Sequence, residues 1–313
     1  MKLIFLGTPQ FAVPTLEAVV AAGHDVAAVL TQPDRPRGRG HETGFPPVKE
    51  AALGRGIPVH QPERVRGPEV VELLAGFGAD AMVVVGYGQI IPQAIIDLPR
   101  RGIINVHASL LPKYRGAAPI QWAIANGETR TGVTTMRIDA GLDTGDILLM
   151  EETGIGPEET ALELSPRLAA MGARLLVETL AGLEAGTIEP RRQDSSQATH
   201  APMLKKEDGL IDWTRAAKTI AGRARGFLPW PGAFTSFRGQ TLQVWKARAA
   251  PERDLGEPGT LHPVKRRLLA ACGGGTALEL VELQLEGRKK MPADAFLNGQ
   301  RVVDNERVGE KQS

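Results

Sequence analysis

Cysteine is almost absent: the 313-residue chain holds one, Cys272. A single thiol excludes an internal disulfide framework, as expected of a chain kept in a reducing compartment. No Cys/His spacing suits a structural zinc, and no metal is expected. Long apolar runs are missing too, since none approaches the ~20 residues that a membrane-spanning helix needs. The opening segment Lys2–Gly7 is too short for the apolar region of a signal peptide, and no small-residue cleavage pattern follows it. A cytoplasmic protein without membrane contact is the expectation, and a monomer the simplest state. Repeats and low-complexity tracts are lacking. Gly7-Thr-Pro-Gln supplies one glycine where a dinucleotide-binding fingerprint needs three.

What is present is an ordinary globular composition, 42% hydrophobic and 23% charged, in a chain long enough for two domains. The net charge of +1 hides an asymmetry. Residues 1–204 hold 18 Lys and Arg against 23 Asp and Glu, whereas residues 205–313 hold 19 against 13. The second part therefore either faces something anionic or carries a solvated basic surface. Short apolar runs at 2–6, 26–30, 58–60, 81–85, 103–107 and 133–138 alternate with helical patterns at 11–22, 69–76 and 120–126. A long helix follows at 161–183. Buried strands alternating with helices predict an α/β fold, a doubly wound, mostly parallel, Rossmann-like sheet over residues 1–188. Residues 189–206 are polar and aperiodic, and read as a linker. Residues 207–313 change to a helix at 216–225 and short strands at 233–237, 241–249, 267–271 and 277–285, with Gly273–Gly275 as a hairpin turn. A small OB-like β-barrel fits that pattern.

The informative segment runs from Gly102 to Gly116. Alternation along a strand puts Asn105 and His107 on one face, at the carboxyl end where open α/β sheets bind ligands. An amide beside an imidazole forms a donor pair able to hold an oxyanion. A second strand leads into Asp139-Ala-Gly-Leu-Asp-Thr-Gly-Asp146, where Gly141 and Gly145 let the backbone turn tightly. Asp143 at its centre, placed beside His107, would orient the ring and favour its charged form. Taken singly, each residue has a packing explanation: a turn amide, a core histidine, a loop-stabilising carboxylate. Together, at the ends of two strands, they read as a site, although spacing alone does not name the reaction. Cys272 lies in an apolar strand as packed core. His24, His60, His200 and His262 lack partners at ligand spacing and receive no role.

Asn105-x-His107 followed by Ser109-Leu-Leu-Pro112, with the later Leu142-Asp-Thr-Gly145, resembles the signature of the folate-dependent formyltransferases. That family includes enzymes acting on glycinamide ribonucleotide, on nucleotide-linked sugars and on methionyl-tRNA. Ordered matches at 5–11, 31–40, 84–88, 109–122, 211–213, 229–231 and 244–246 make the members acting on methionyl-tRNA the most similar over nearly the whole chain. The resemblance implies 10-formyltetrahydrofolate as formyl donor and initiator methionyl-tRNA as acceptor, with no metal. It implies catalytic roles for Asn105, His107 and Asp143, and a pterin against Gly86, Tyr87, Gly88, Gln89 and Ile90 and the Asp139–Gly145 loop. Ser109, Leu110, Leu111 and Pro112 would also line the folate site. Rival readings are transfer to an amino-sugar nucleotide or to glycinamide ribonucleotide, folate or RNA binding without turnover, and hydrolysis of the formyl donor.

Residues 31–49, rich in proline and glycine, predict an irregular mobile loop. Arg35, Arg37 and Arg39 give it three planar cations suited to phosphates or base edges. In the family the matching loop enters the tRNA acceptor stem, with the arginine at position 39 helping to discriminate its end. This chain departs from the family pattern just afterwards, reading His41–Pro47 where relatives often carry two lysines, which weakens phosphate attraction. Lys205, Lys206, Arg223, Arg225, Lys246, Arg248, Lys265, Arg266, Arg267, Arg288, Lys289 and Lys290 are candidate phosphate contacts in the second domain. Trp230 and Trp245 read as core.

Overall fold

The computed structural model describes residues 1–37 and 42–309, and of residues 36, 37, 42 and 43 the backbone alone. The chain forms two compact units. One contains Met1–Pro119, Thr131–Gly154 and Ser165–Pro202; the other contains Ile120–Arg130, Ile155–Leu164 and Met203–Ser313. In chain order the elements before residue 190 are β1 (Lys2–Gly7), α1 (Val13–Ala21), β2 (Asp25–Leu30), β3 (Arg35–Arg37), β4 (Glu42–Gly44), α2 (Pro47–Leu53), β5 (Val59–His60) and α3 (Pro68–Phe77). They continue as β6 (Ala81–Val85), α4 (Gln93–Ile96), β7 (Ile103–His107), α5 (Pro119–Ala125), β8 (Arg130–Arg137), β9 (Ile147–Gly154) and α6 (Ala161–Ala185).

An apolar run with no polar face, such as β6, must be covered on both sides, and both β6 and β7 are buried at every position. They sit in a seven-stranded sheet of order β5-β2-β1-β6-β7-β8-β9. The pairs β2–β5, β1–β2, β1–β6 and β6–β7 are parallel. This is the parallel-dominated, Rossmann-like layout expected from the sequence. Strand order reverses at β1, so the carboxyl ends of β1, β6 and β7 border the crevice where such sheets take ligands. Proline opens α1, α2 and α3, in the first turn where its missing N–H costs nothing.

Two sequence expectations meet a different outcome. A mostly parallel sheet predicts that the strand at 133–138 runs alongside β7 in the same direction. Instead β8 runs antiparallel to β7, with His107 opposite Thr134 and Ile104 opposite Arg137. The 139–146 loop therefore leaves from the far end of β7 and folds back over the sheet face. Apolar periodicity fixes a strand and its faces but not its direction. Likewise, residues 31–49 are not wholly irregular: β3 and β4 form an antiparallel ladder with Arg35 opposite Gly44, and α2 starts at Pro47. Pro46 and Pro47, which suggest a loop, are the entry to that helix.

The second unit holds α7 (Ala217–Gly226), β10 (Ala233–Phe237), β11 (Gln240–Arg253), β12 (Thr260–Val264), β13 (Arg267–Cys272), β14 (Thr276–Leu285), β15 (Met291–Pro292), α8 (Ala293–Gln300) and β16 (Glu306–Arg307). Its antiparallel sheet, of order β10-β11-β14-β13-β12-β16, curls into a half-barrel. Phe237, Phe296, Leu242 and Leu283 fill the core. Residues 120–130, including most of α5, pack in this unit: Trp122 meets Phe227 edge-on at 5.2 Å. A Cβ on Gly226 of α7 would stand 2.6 Å from the Gln121 carbonyl. Among the described residues, no helix is long and apolar enough to cross a membrane.

Candidate active site

Asn105 and His107 lie two positions apart on β7, project to one face, and are both buried. Asp143 reaches them from the 139–146 loop. Its Oδ1 is 3.5 Å from the Asn105 amide nitrogen, and its Oδ2 is 3.7 Å from His107 Nδ1. The second distance suits an ion pair and exceeds a direct hydrogen bond. The three side chains thus converge although their strands run in opposite directions. Gly145 lets the loop return, because a Cβ there would sit 1.9 Å from the Arg137 carbonyl. Asp143 itself adopts a left-handed φ of 52°, a conformation that non-glycine residues hold only when the surroundings enforce it.

The enforcing contacts are visible. The Gly116 amide donates to Asp143 Oδ2 at 2.8 Å. Gly116 has φ 123°, and a Cβ there would stand 2.6 Å from the Ala201 carbonyl, so only glycine presents its N–H in this way. His107 Nε2 donates to the Tyr114 carbonyl at 2.9 Å. A carbonyl can only accept, so that nitrogen carries a proton and Nδ1 is the one facing Asp143. The Tyr114 amide in turn donates to Thr199 Oγ1 at 2.9 Å, and the Arg115 amide to the Thr199 carbonyl.

Residues within the stretch read as a linker therefore build the site. Ile147 and Arg191 exchange backbone hydrogen bonds, and the Ala201 amide donates to the Arg115 carbonyl. Gln193 donates to the carbonyls of Asp143 and Gly145 and accepts from Arg115. Nothing in the sequence singles out Gln193. It follows no period, and fifty residues separate it from the loop it holds, so no local signal marks it.

The residues expected against the folate divide by exposure. Gly86, Gly88 and Ile90 are exposed, Ile90 at 86%, as is Leu142 of the 139–146 loop at 63%. Leu110, Pro112 and Gln89 are half-buried, with Gln89 accepting from the Val65 amide. The side chains of Tyr87, Ser109 and Leu111 face inward and are closed to solvent. Tyr87 offers no free carbonyl either, because Thr8 Oγ1 and Gln32 Nε2 donate to it. Ser109 Oγ donates to the Lys113 carbonyl at 2.6 Å, and Thr134 Oγ1 bridges the Ser109 carbonyl and the Leu111 amide. These three residues shape their loops from within.

Of the three arginines expected to read tRNA, Arg35 is exposed on β3, Arg37 is described in its backbone alone, and Arg39 lies outside the described residues. Many second-unit cations already face carboxylates. Arg248 and Arg267 share Glu279, Arg266 meets Asp294, Lys246 meets Glu158, and Lys290 meets Glu282. Arg223 and Arg225 donate to the backbone carbonyls of Asp208 and Glu159, and burial lowers the affinity of both guanidinium groups for their proton. Trp230, expected in the core, is 55% exposed, since the turn that carries it, in Pro229-Trp-Pro231, runs along the surface. Trp245 is half-buried and donates to Gln284. Cys272 is buried, and burial pushes its thiol up to about 12, as fits an inert core residue.

Residues 1–180 match the family described as formyl transferase, and residues 203–301 match the formyl transferase C-terminal domain. Fold and family together make this chain a formyl transferase. Methionyl-tRNA formyltransferase of Solibacter usitatus is 67% identical over 310 residues, 99% of each chain. That of Acidobacterium capsulatum is 57% identical over 310 residues, 99% of this chain and 100% of its own. The chain belongs to the methionyl-tRNA formyltransferase family. Among solved structures, an N-formyltransferase from Helicobacter canadensis in complex with folinic acid and dTDP-3-aminofucose shares the fold. Its TM-score is 0.66 at 19% identity, over 90% of this chain and 98% of that one.

Proposed function

We propose that the chain transfers a formyl group from 10-formyltetrahydrofolate to the α-amino group of methionyl initiator tRNA, with Asn105, His107 and Asp143 as its catalytic residues. The convergence of these three side chains carries the reading. In the proposed reaction the amine nitrogen adds to the formyl carbon to give a tetrahedral oxyanion, which collapses as the bond from that carbon to N10 of the folate breaks. The Asn105 amide and a protonated His107, through its Nδ1–H, stabilise the oxygen that gains charge as the amine adds. Asp143 accepts the proton lost by the amine and relays it, through water, to N10. The buried setting strengthens each of these interactions relative to bulk water.

The surroundings fit a flat heterocycle with an amide-rich edge. Exposed Ile90 and Leu142 offer apolar contact, and the exposed backbone at Gly86 and Gly88 offers polar groups without a side chain in the way. The family membership supports methionyl-tRNA over an amino-sugar nucleotide as acceptor.

Incubating the protein with 10-formyltetrahydrofolate and charged initiator tRNA should give formyl-methionine. Asn105→Ala and His107→Ala should each lower kcat by about a hundredfold or more. Near-normal turnover in both variants would remove the catalytic assignment. Formyl transfer to an amino-sugar nucleotide alone would move the acceptor.

A further inference from the structure

We infer that Gln193 is a positioning residue for Asp143, with Arg115 fixing the orientation of its amide. The inference rests on the proposed role of Asp143. Both side chains are buried, Arg115 at 6% exposure and Gln193 at 8%. Arg115 Nε and Nη2 donate to Gln193 Oε1 at 3.1 and 2.8 Å. A guanidinium has donors only, so the glutamine oxygen must face it and the amide nitrogen must point the other way. There the nitrogen donates to the carbonyls of Asp143, at 2.9 Å, and Gly145, at 2.7 Å. Both amide protons are used.

Two neighbouring residues thereby hold Asp143 from two sides. Arg115 acts on its backbone through Gln193, and the Gly116 amide binds its carboxylate. The left-handed φ of Asp143 is unfavourable without such support. Loss of the Gln193 donors frees the backbone and lets the carboxylate drift from His107, while leaving Asn105 and His107 on their strand.

Gln193→Glu keeps the size of the side chain and its contact with Arg115, but replaces the donating nitrogen with an oxygen that repels both loop carbonyls. The expected result is a kcat lowered by about ten- to a hundredfold, with KM for folate and for tRNA within about twofold of the parent. Because the effect runs through Asp143, adding Gln193→Glu to Asp143→Asn should change the residual single-turnover rate by less than about twofold. An equal loss in both backgrounds, or a raised KM with unchanged kcat, overturns the positioning role. Wild-type turnover in Asp143→Asn alone overturns the catalytic reading beneath it. Arg115→Lys, which keeps the charge but not the two-pronged donor, serves as the second variant and should give the same non-additive pattern.

Discussion

Tyr87 illustrates how a residue in a functional motif can serve the fold. It belongs to the same buried core cluster as Ile4, Leu6 and Met82, and its hydroxyl is buried without a hydrogen-bond partner among the described residues. Burial pushes the phenol up to about 12. A buried polar group left unpaired costs about 1–3 kcal/mol, whereas removing it with its shape preserved is neutral or favourable. Tyr87→Phe should leave kcat unchanged and hold or raise stability, by about 1 kcal/mol at most, in urea unfolding. A loss of that size would reveal a partner for the hydroxyl. At this scale the sequence is uneven evidence. Asn105 and His107 are legible because alternation on a strand puts them side by side, and Asp143 because glycines bracket it. Gln193 and the inward turn of Ser109 are not, because both depend on contacts between segments far apart in the chain.

Elements were legible wherever hydrophobic period and breakers agreed: β1, β6, β7, α6 and β10 stand where the pattern puts them. The direction of β8 was not, nor was the ladder of β3 and β4, whose strands are three residues each and too short to display a period. What anchors that ladder is a polar knot at its base. Lys49 donates to Asp34 and to Gln61, and Gln61 donates to Asp34 and to the Gln32 carbonyl. Hydrogen bonds from Lys49 first, then Gln61, hold the Asp34 carboxyl below its usual range. A carboxylate depressed by folding stabilises the folded form above its unfolded pKa, about 4, and loses that effect as pH falls through the lower folded value. Amide exchange at Gln32 and Asp34, corrected for intrinsic rate, should therefore accelerate in acid below about pH 4. In Asp34→Asn the exchange should already be fast at neutral pH. Equal protection in parent and variant at both pH values would leave the knot without a role.

Across the whole molecule, fewer cations of residues 205–313 are open to phosphates than their count suggests, because many already face carboxylates. Arg288 and Lys289, exposed between β14 and β15, face no carboxylate among the described residues. Each phosphate contact contributes about 0.9 to the slope of log Kd against log salt for duplex nucleic acid. Replacing Arg288 and Lys289 with alanine should lower that slope for tRNA by up to about 2, while Arg248→Ala should leave it unchanged. An unaltered slope in the double variant would take this turn out of the interface. The placement of α5 carries a different consequence, for how such proteins can be taken apart. The half-barrel is not a cassette with one seam. Lifted out at residue 203, it would leave behind the indole that covers Phe227, and the glycine at 226, shaped to admit a neighbouring backbone, would border an empty groove. To travel intact it must take along residues 120–130 and 155–164, or acquire a substitute helix in its new host.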